Sequence, residues 1–109
     1  MDEMTRPPRA RLSVAPDPDS GGLLATLGGE LDLAGVSDVT GALDELLARR
    51  PQPLVLDLAD LGFLDSSGVA LLIRLANHFE PVRIRSAAAP VRRVIEVLGL
   101  ADRLGLDGA

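Results

Sequence analysis

Residues 54–69 read LVLDLADLGFLDSSGV, and this stretch decides the fold. It opens on a nearly continuous apolar run from Leu54 to Leu58, which is typical of a parallel strand covered on its faces. After a loop over residues 59–64, Asp65 and Ser66 begin an amphipathic helix that ends before Pro81. A buried strand that leads into such a helix predicts an α/β fold. The apolar face of the helix is predicted from residues three and four apart, namely Val69, Leu72, Ile73 and Ala76.

Towards the N-terminus, the pattern predicts a hairpin and a first helix. Leu12 and Val14 alternate with polar residues, and an apolar run from Leu23 to Leu27 follows a segment dense in turn formers. We expect these two runs to pair as antiparallel strands. Apolar residues at helical spacing between Gly35 and Arg50 predict the first helix, which the prolines at positions 51 and 53 terminate.

Towards the C-terminus, residues 82–85 alternate between apolar residues and arginine and predict a strand. Pro90 and Gly99 bound a third helix, and residues 104–106 could add a last short strand. The pattern predicts one α/β domain over residues 11–109, with a mixed, mostly parallel sheet of four to five strands, an N-terminal hairpin and three or more helices. Residues 1–10 contain two prolines and mixed charges and are predicted to form a flexible tail.

Length and composition exclude several classes of protein. The chain of 109 residues has room for one domain, and it contains no Cys and a single His, His78. We therefore expect no disulfide, no cysteine nucleophile and no thiolate or histidine-rich metal site. Two Phe, no Tyr or Trp and a net charge of −5 argue against a nucleic-acid partner. No apolar run approaches the ~18 residues of a membrane span, so we expect a cytoplasmic protein outside the membrane.

Acidic residues are concentrated in the middle of the chain. Residues 17–65 carry a net charge of −8, whereas residues 1–16 carry +1 and residues 66–109 carry +2. Within this segment, Glu30 and Asp32 occupy a loop at the predicted carboxyl end of the second strand, where α/β folds collect groups that contact ligands. The charge fits either a negative face for a basic protein partner or a solvated acidic surface.

A second loop at the carboxyl end of a strand opens the second helix. Asp65 is predicted to cap that helix, which leaves Ser66 and Ser67 at an exposed N-terminus. Gly68 costs up to ~1 kcal/mol relative to Ala inside a helical turn, which indicates a need for close access. The alternative is that Asp-Ser-Ser serves as a helix cap and nothing more. A hydrolase triad is excluded, because His78 lies about 18 Å along the helix from Ser66 at ~1.5 Å per residue.

Several segments follow one another in a specific order. They are GELD at residues 29–32, LVLDL at 54–58, FLDSSGV at 63–69, APVRRV at 89–94 and LGL at 98–100. This ordered set resembles the STAS domain of bacterial anti-sigma-factor antagonists over roughly residues 10–106.

The resemblance implies a function and a set of site residues. In that family a Ser or Thr directly after an Asp is phosphorylated, and Ser66 follows Asp65 in the same way. The implied partners are an anti-sigma factor serine/threonine kinase, which binds the unmodified protein, and a phosphatase that resets the cycle. No enzymatic activity, cofactor or metal is implied. Partner docking is implied for residues of both loops, namely Glu30, Asp32, Asp65, Ser67 and Gly68.

Two other functions stay open on the sequence. The domain could be an unphosphorylated STAS scaffold subunit of a lipid-transport or other multiprotein complex, with Ser66 and Ser67 acting only as caps. Nucleotide binding by the domain itself is a third possibility.

Overall fold

The computed structural model describes residues 7–106, which contain one mixed sheet and three helices. The strands are β1 (Ala10–Asp17), β2 (Gly22–Leu31), β3 (Leu54–Leu58), β4 (Leu61–Leu64) and β5 (Val82–Ala87). The helices are α1 (Leu33–Leu47), α2 (Ser66–His78) and α3 (Ala89–Val97). The predicted fold class is confirmed, including the N-terminal hairpin and the three helices.

The strands are ordered β1-β2-β3-β5, and β4 pairs with the second half of β2. β1 and β2 are antiparallel, whereas β2 with β3, β2 with β4 and β3 with β5 are parallel pairs. Because both crossovers, through α1 and through α2, step in the same direction across the sheet, right-handed connections put these helices on one face. All parallel strands therefore direct their carboxyl ends to one edge of the sheet.

The core lies between this face of the sheet and the helices. Leu54, Leu56 and Leu58 of β3 are at most 1% exposed, whereas the intervening Val55 and Asp57 are partly exposed. The expectation that β3 is covered on its faces is therefore wrong for one face. The apolar run in the sequence does not reveal the exposed face, because Val55 suits a half-exposed strand position as well as a buried one.

Residues 59–64 differ from the predicted loop. They contain β4, a short strand in which Leu61 and Leu64 are buried while Gly62 and Phe63 are exposed. β4 lies beside β2, with Glu30 opposite Phe63 and Leu31 opposite Leu64. Two successive exposed positions break the alternation that sequence analysis relies on, so the strand was not predicted.

The helix boundaries depend on their caps. α1 begins at Leu33 and not at Gly35, because the Asp32 side chain accepts a hydrogen bond from the Gly35 amide. α2 begins at Ser66 as predicted, and its buried face consists of Leu71, Leu72 and Leu75 together with Gly68. Of the four apolar positions predicted for that face, Leu72 is fully buried and the others are partly exposed: Val69, Ile73 and Ala76.

Both ends of the domain differ in detail from the prediction. β1 begins at Ala10, which is 3% exposed, so this residue belongs to the domain and not to the tail. At the other end, the predicted last strand is a single bridge between Leu106 and Ile84. Residues 1–6 of the predicted tail and residues 107–109 lie outside the described part of the chain. Within residues 7–106, no helix has the length and apolar character needed to cross a membrane.

Candidate functional site

The two predicted loops come together at the carboxyl edge of the sheet. The prediction that Glu30 and Asp32 share a loop is wrong for Glu30, because β2 continues through it to Leu31. Asp32 directly follows β2, and Asp65 directly follows β4, its parallel neighbour. Leu31 and Leu64 are opposite each other in this pair, and the Asp65 amide donates a hydrogen bond to the Leu31 carbonyl at 3.3 Å. The N-termini of α1 and α2 therefore begin at adjacent positions on one edge.

Each of these helices is capped by the aspartate that precedes it. Asp32 Oδ1 accepts from the Gly35 amide at 2.8 Å. Asp65 Oδ1 accepts from the Ser67 amide at 2.8 Å and from the Gly68 amide at 3.3 Å. The predicted cap at Asp65 is confirmed, and the cap at Asp32 was missed. The signal was present, because residues 32–35 and 65–68 share the pattern Asp-x-x-Gly.

The glycines of this pattern let both helices approach the end of β2. A Cβ atom on Gly35 would lie 1.8 Å from the Glu30 carbonyl oxygen, and one on Gly68 would lie 2.6 Å from the Leu31 carbonyl oxygen. Gly68 is buried. Internal packing therefore accounts for a glycine in the first turn of α2, without the external access that the sequence suggested.

The two serines differ in accessibility. Ser66 is exposed at the first position of α2, and Ser67 is partly buried. Within residues 7–106, neither hydroxyl makes a hydrogen bond. The free amides and the dipole at a helix N-terminus favour a negative group. Ser66 thus presents an accessible hydroxyl at a position that tolerates an added anion.

Arg9 binds Glu30 and Asp32 and was not predicted as a site residue. Its Nε lies 2.9 Å from Asp32 Oδ2, and its Nη2 contacts both Asp32 and Glu30. The backbone amide of Arg9 donates to Asp38 Oδ2 at 2.6 Å. The side-chain hydrogen bond from Arg9, followed by that from the Gly35 amide, lowers the pKa of Asp32, and the pairing raises the pKa of Arg9. Part of the acidic surface is therefore neutralised from within the chain.

Two exposed apolar side chains flank Glu30 and Asp32. Leu33, the residue after Asp32, is 75% exposed, and Phe63, which lies opposite Glu30 in the sheet, is 46% exposed. Large apolar groups beside charged groups are typical of interface cores with polar rims. Leu33 was not predicted as a site residue. The signal was its spacing of six residues from the buried Val39, which puts it away from the buried face of α1.

His78 lies at the other end of α2. Its Nε2 is 2.6 Å from the Arg49 carbonyl oxygen, so it joins the end of α2 to the segment after α1. The exclusion of a Ser-His-Asp triad agrees with this position. In the described part of the chain, no three His, Cys, Asp or Glu side chains form a group that could bind a metal ion.

Comparisons with known proteins agree with this architecture. The family model described as "Mlab, STAS domain" matches residues 18–106. The anti-sigma-F factor antagonist RsfB of Mycobacterium tuberculosis, from two strains, is 31% identical over 84 residues, which cover 74% of this chain and 69% of that protein.

Solved structures show the same fold. An anti-sigma factor antagonist from Mycobacterium paratuberculosis superposes with a TM-score of 0.77 at 21% identity, covering 92% of this chain and 86% of its own. The anti-sigma factor antagonist SpoIIAA in its unphosphorylated form gives a TM-score of 0.58 at 24% identity, covering 78% of each chain. Since the family model spans most of the chain and the fold agrees with it, this protein belongs to the STAS domain family.

Proposed function

We propose that this protein is an anti-sigma-factor antagonist, a binding module without enzymatic activity that is switched by phosphorylation of Ser66. The observation that carries the proposal is the exposed hydroxyl of Ser66, which begins α2 next to the acidic end of β2, formed by Glu30 and Asp32. The similarity to the relatives named as antagonists supports the same function. Cytoplasmic action on a regulatory protein partner is part of this proposal.

The proposed docking surface combines charge with apolar area. It comprises Glu30, Asp32 and the N-terminal turn of α2, with Leu33 and Phe63 as its apolar contacts. Asp65 and Ser67 contribute through the backbone conformation that their hydrogen bond fixes. Gly68, which is buried, contributes by letting α2 pack against β2. The partner that fits this surface is an anti-sigma factor serine/threonine kinase whose basic side chains face Glu30 and Asp32 and whose apolar or acidic side chains face Ser66.

Phosphorylation of Ser66 would leave the fold intact and change the interface. A phosphate adds about −1.5 to −2 charges, which the first turn of α2 tolerates. One unit-charge pair at 4 Å contributes about 1 kcal/mol in water and about 4 kcal/mol at an effective dielectric of 20. Because ~1.4 kcal/mol corresponds to a tenfold change in affinity, a dianion opposite an acidic or desolvated partner group weakens binding strongly. A phosphatase that removes the phosphate restores the binding form.

The experiment that tests the proposal is capture from the native cytoplasm followed by phosphosite mapping. Immobilised chain with Ser66→Ala is expected to retain a serine-kinase-type anti-sigma factor, and chain carrying phosphoserine at position 66 is expected to lose it. Ser67→Ala is the matched control, because it removes the neighbouring hydroxyl and should be phosphorylated and released normally. Recovery of transporter subunits in place of a kinase, with no phosphate on either serine, would favour the scaffold function.

The contribution of the acidic residues Glu30 and Asp32 to partner docking needs a test that does not alter the cap of α1. Asp32 caps α1 and pairs with Arg9, so a change there affects stability as well as docking. Glu30 also contacts Arg9, but this ion pair is exposed and contributes little to stability, and within residues 7–106 Glu30 caps no helix. Glu30→Gln is expected to weaken partner binding while the melting temperature stays nearly constant. Unchanged affinity for the captured kinase would remove Glu30 from the docking surface.

A further inference from the structure

A groove lies on the face of the sheet that α1 and α2 leave uncovered. It is at the end of the sheet opposite to Ser66. The groove has a volume of 470 Å³ and lies between the β1–β2 turn and the first residues of β5. Its floor is formed by Pro53 and Val55 near the start of β3. Val55 alternates with the fully buried Leu54 and Leu56, which places it on the uncovered face.

The two rims of this groove carry opposite charges. Asp19, in the β1–β2 turn, forms one rim, and Arg83, on β5, forms the other. Both residues are exposed, and neither side chain makes a hydrogen bond or an ion pair within residues 7–106. Arg85, the next arginine on the same face, is already paired with Asp57 at 2.7 Å. Asp17 also lines the groove but is buried. Asp19 and Arg83 are therefore the exposed charged residues of the groove that have no partner within residues 7–106.

We propose that this groove is the contact surface for a second copy of the chain, related by a two-fold axis. In a two-fold interface the same patch is used twice, so a contact from one residue to another occurs in both directions. Asp19 of one copy would meet Arg83 of the other, and the reverse pair would form at the same time. The apolar floor around Val55 would be covered between the two ion pairs.

Charge complementarity favours a second copy over a ligand of one sign. An acidic ligand would approach Arg83 but meet Asp19, and a basic ligand would face the reverse problem. A self-complementary surface satisfies both rims at once. Ser66 lies at the carboxyl ends of the strands, whereas the groove lies at their amino ends, so the proposed dimer leaves both Ser66 sites accessible. Exposed ion pairs contribute little each, so the association is expected to be weak and salt-sensitive.

The test is sedimentation equilibrium of the full chain with two single charge reversals. The unsubstituted chain is expected to form a dimer at low ionic strength that dissociates in about 1 M salt, where the screening length is about 3 Å. In a dimer of either variant, Asp19→Arg or Arg83→Glu, residues 19 and 83 carry charges of the same sign in both intermolecular pairs. Each variant is therefore expected to associate with itself roughly tenfold or more weakly. A 1:1 mixture of the two variants is expected to form a heterodimer, because both pairs regain opposite charges.

Two control substitutions on the helices, away from the groove, separate the effect of this contact from an effect of net charge. Asp44→Arg on α1 and Arg74→Glu on α2 make the same changes of charge at exposed positions away from the groove, and they are expected to dimerise like the unsubstituted chain. A chain that is monomeric at every concentration, single reversals that dimerise normally, or a mixture that remains monomeric would each overturn the proposal. None of these outcomes depends on whether Ser66 is phosphorylated.

Discussion

The N-termini of α1 and α2 are built alike but present different chemistry. Each follows a parallel strand, is capped by an aspartate and places a glycine three residues later against the end of β2. After Asp32 comes the exposed Leu33, and Asp32 itself is bound by Arg9. After Asp65 comes the exposed Ser66, and within residues 7–106 the Asp65 carboxylate accepts only from amides of its own helix.

The same local construction therefore presents an apolar side chain at one terminus and a hydroxyl at the other. At α1 the cap is tied to the segment before β1, and the exposed neighbour is apolar, which suits a fixed docking contact. At α2 the cap leaves a hydroxyl accessible at a position that accepts a phosphate. The Asp65 amide donates to the Leu31 carbonyl, so the two helix N-termini are adjacent. A phosphate added to Ser66 would therefore lie close to the N-terminus of α1.

The largest expected effect comes from removing the packing beneath α2. Leu72 is fully buried, and Leu72→Ala is expected to lower the free energy of unfolding by about 2 to 5 kcal/mol and to weaken partner binding with it. Leu33→Ala is the matched control, because it makes the same change at a side chain that is 75% exposed. It should weaken partner binding while leaving the urea midpoint nearly unchanged. Equal midpoints for Leu72→Ala and the unsubstituted chain would contradict the placement of α2.

The glycines at the two termini are expected to give the next largest effect. Gly35→Ala and Gly68→Ala bring a Cβ within 3 Å of a backbone oxygen of β2, and such overpacking typically costs about 1 to 3 kcal/mol. Gly41→Ala in the middle of α1 meets no atom of residues 7–106 within 4 Å and is expected to stabilise the chain by roughly 0.5 to 1 kcal/mol. Urea denaturation of the three variants checks this. If all three change stability in the same direction, the close approach to β2 is wrong.

The smallest expected effect concerns the charge of the cap at α1. Because the Arg9 pair and the Gly35 amide lower the pKa of Asp32, its ionised form stabilises the fold above the ordinary value of 3.8, and this contribution is lost as the pH falls through the lowered pKa. Asp32→Asn keeps a capping side chain but removes the charge. The stability difference from the unsubstituted chain is expected to be present near neutral pH and to shrink in acid.

A matched substitution controls for the loss of one negative charge. Asp44 is exposed on α1, and within residues 7–106 its side chain makes no ion pair. Asp44→Asn, followed by denaturation across the same pH range, reports the effect of net charge alone. A difference for Asp32→Asn that grows as the pH falls would show that the carboxylate of Asp32 does not stabilise the fold through Arg9.

The sequence predicted those features that depend on local pattern. The order of the helices, the hairpin and the cap at Asp65 follow from periodicity and capping chemistry, and the structure confirms them. β4 was missed because Gly62 and Phe63 interrupt its alternation. The role of Arg9 was missed because it depends on tertiary register: pairing of Ala10 with Gly29 brings the residue before the strand to the end of β2. No local pattern around Arg9 encodes that contact.

The dissociation constant of the captured kinase for the unmodified and the Ser66-phosphorylated chain tests the central claim most directly. We expect tight binding of the unmodified chain, binding at least roughly tenfold weaker after phosphorylation of Ser66, and an unchanged melting temperature. The Ser67→Ala chain, measured in both states, should show the same difference. Equal dissociation constants for the two states of the chain would contradict the assignment of Ser66 as the switch.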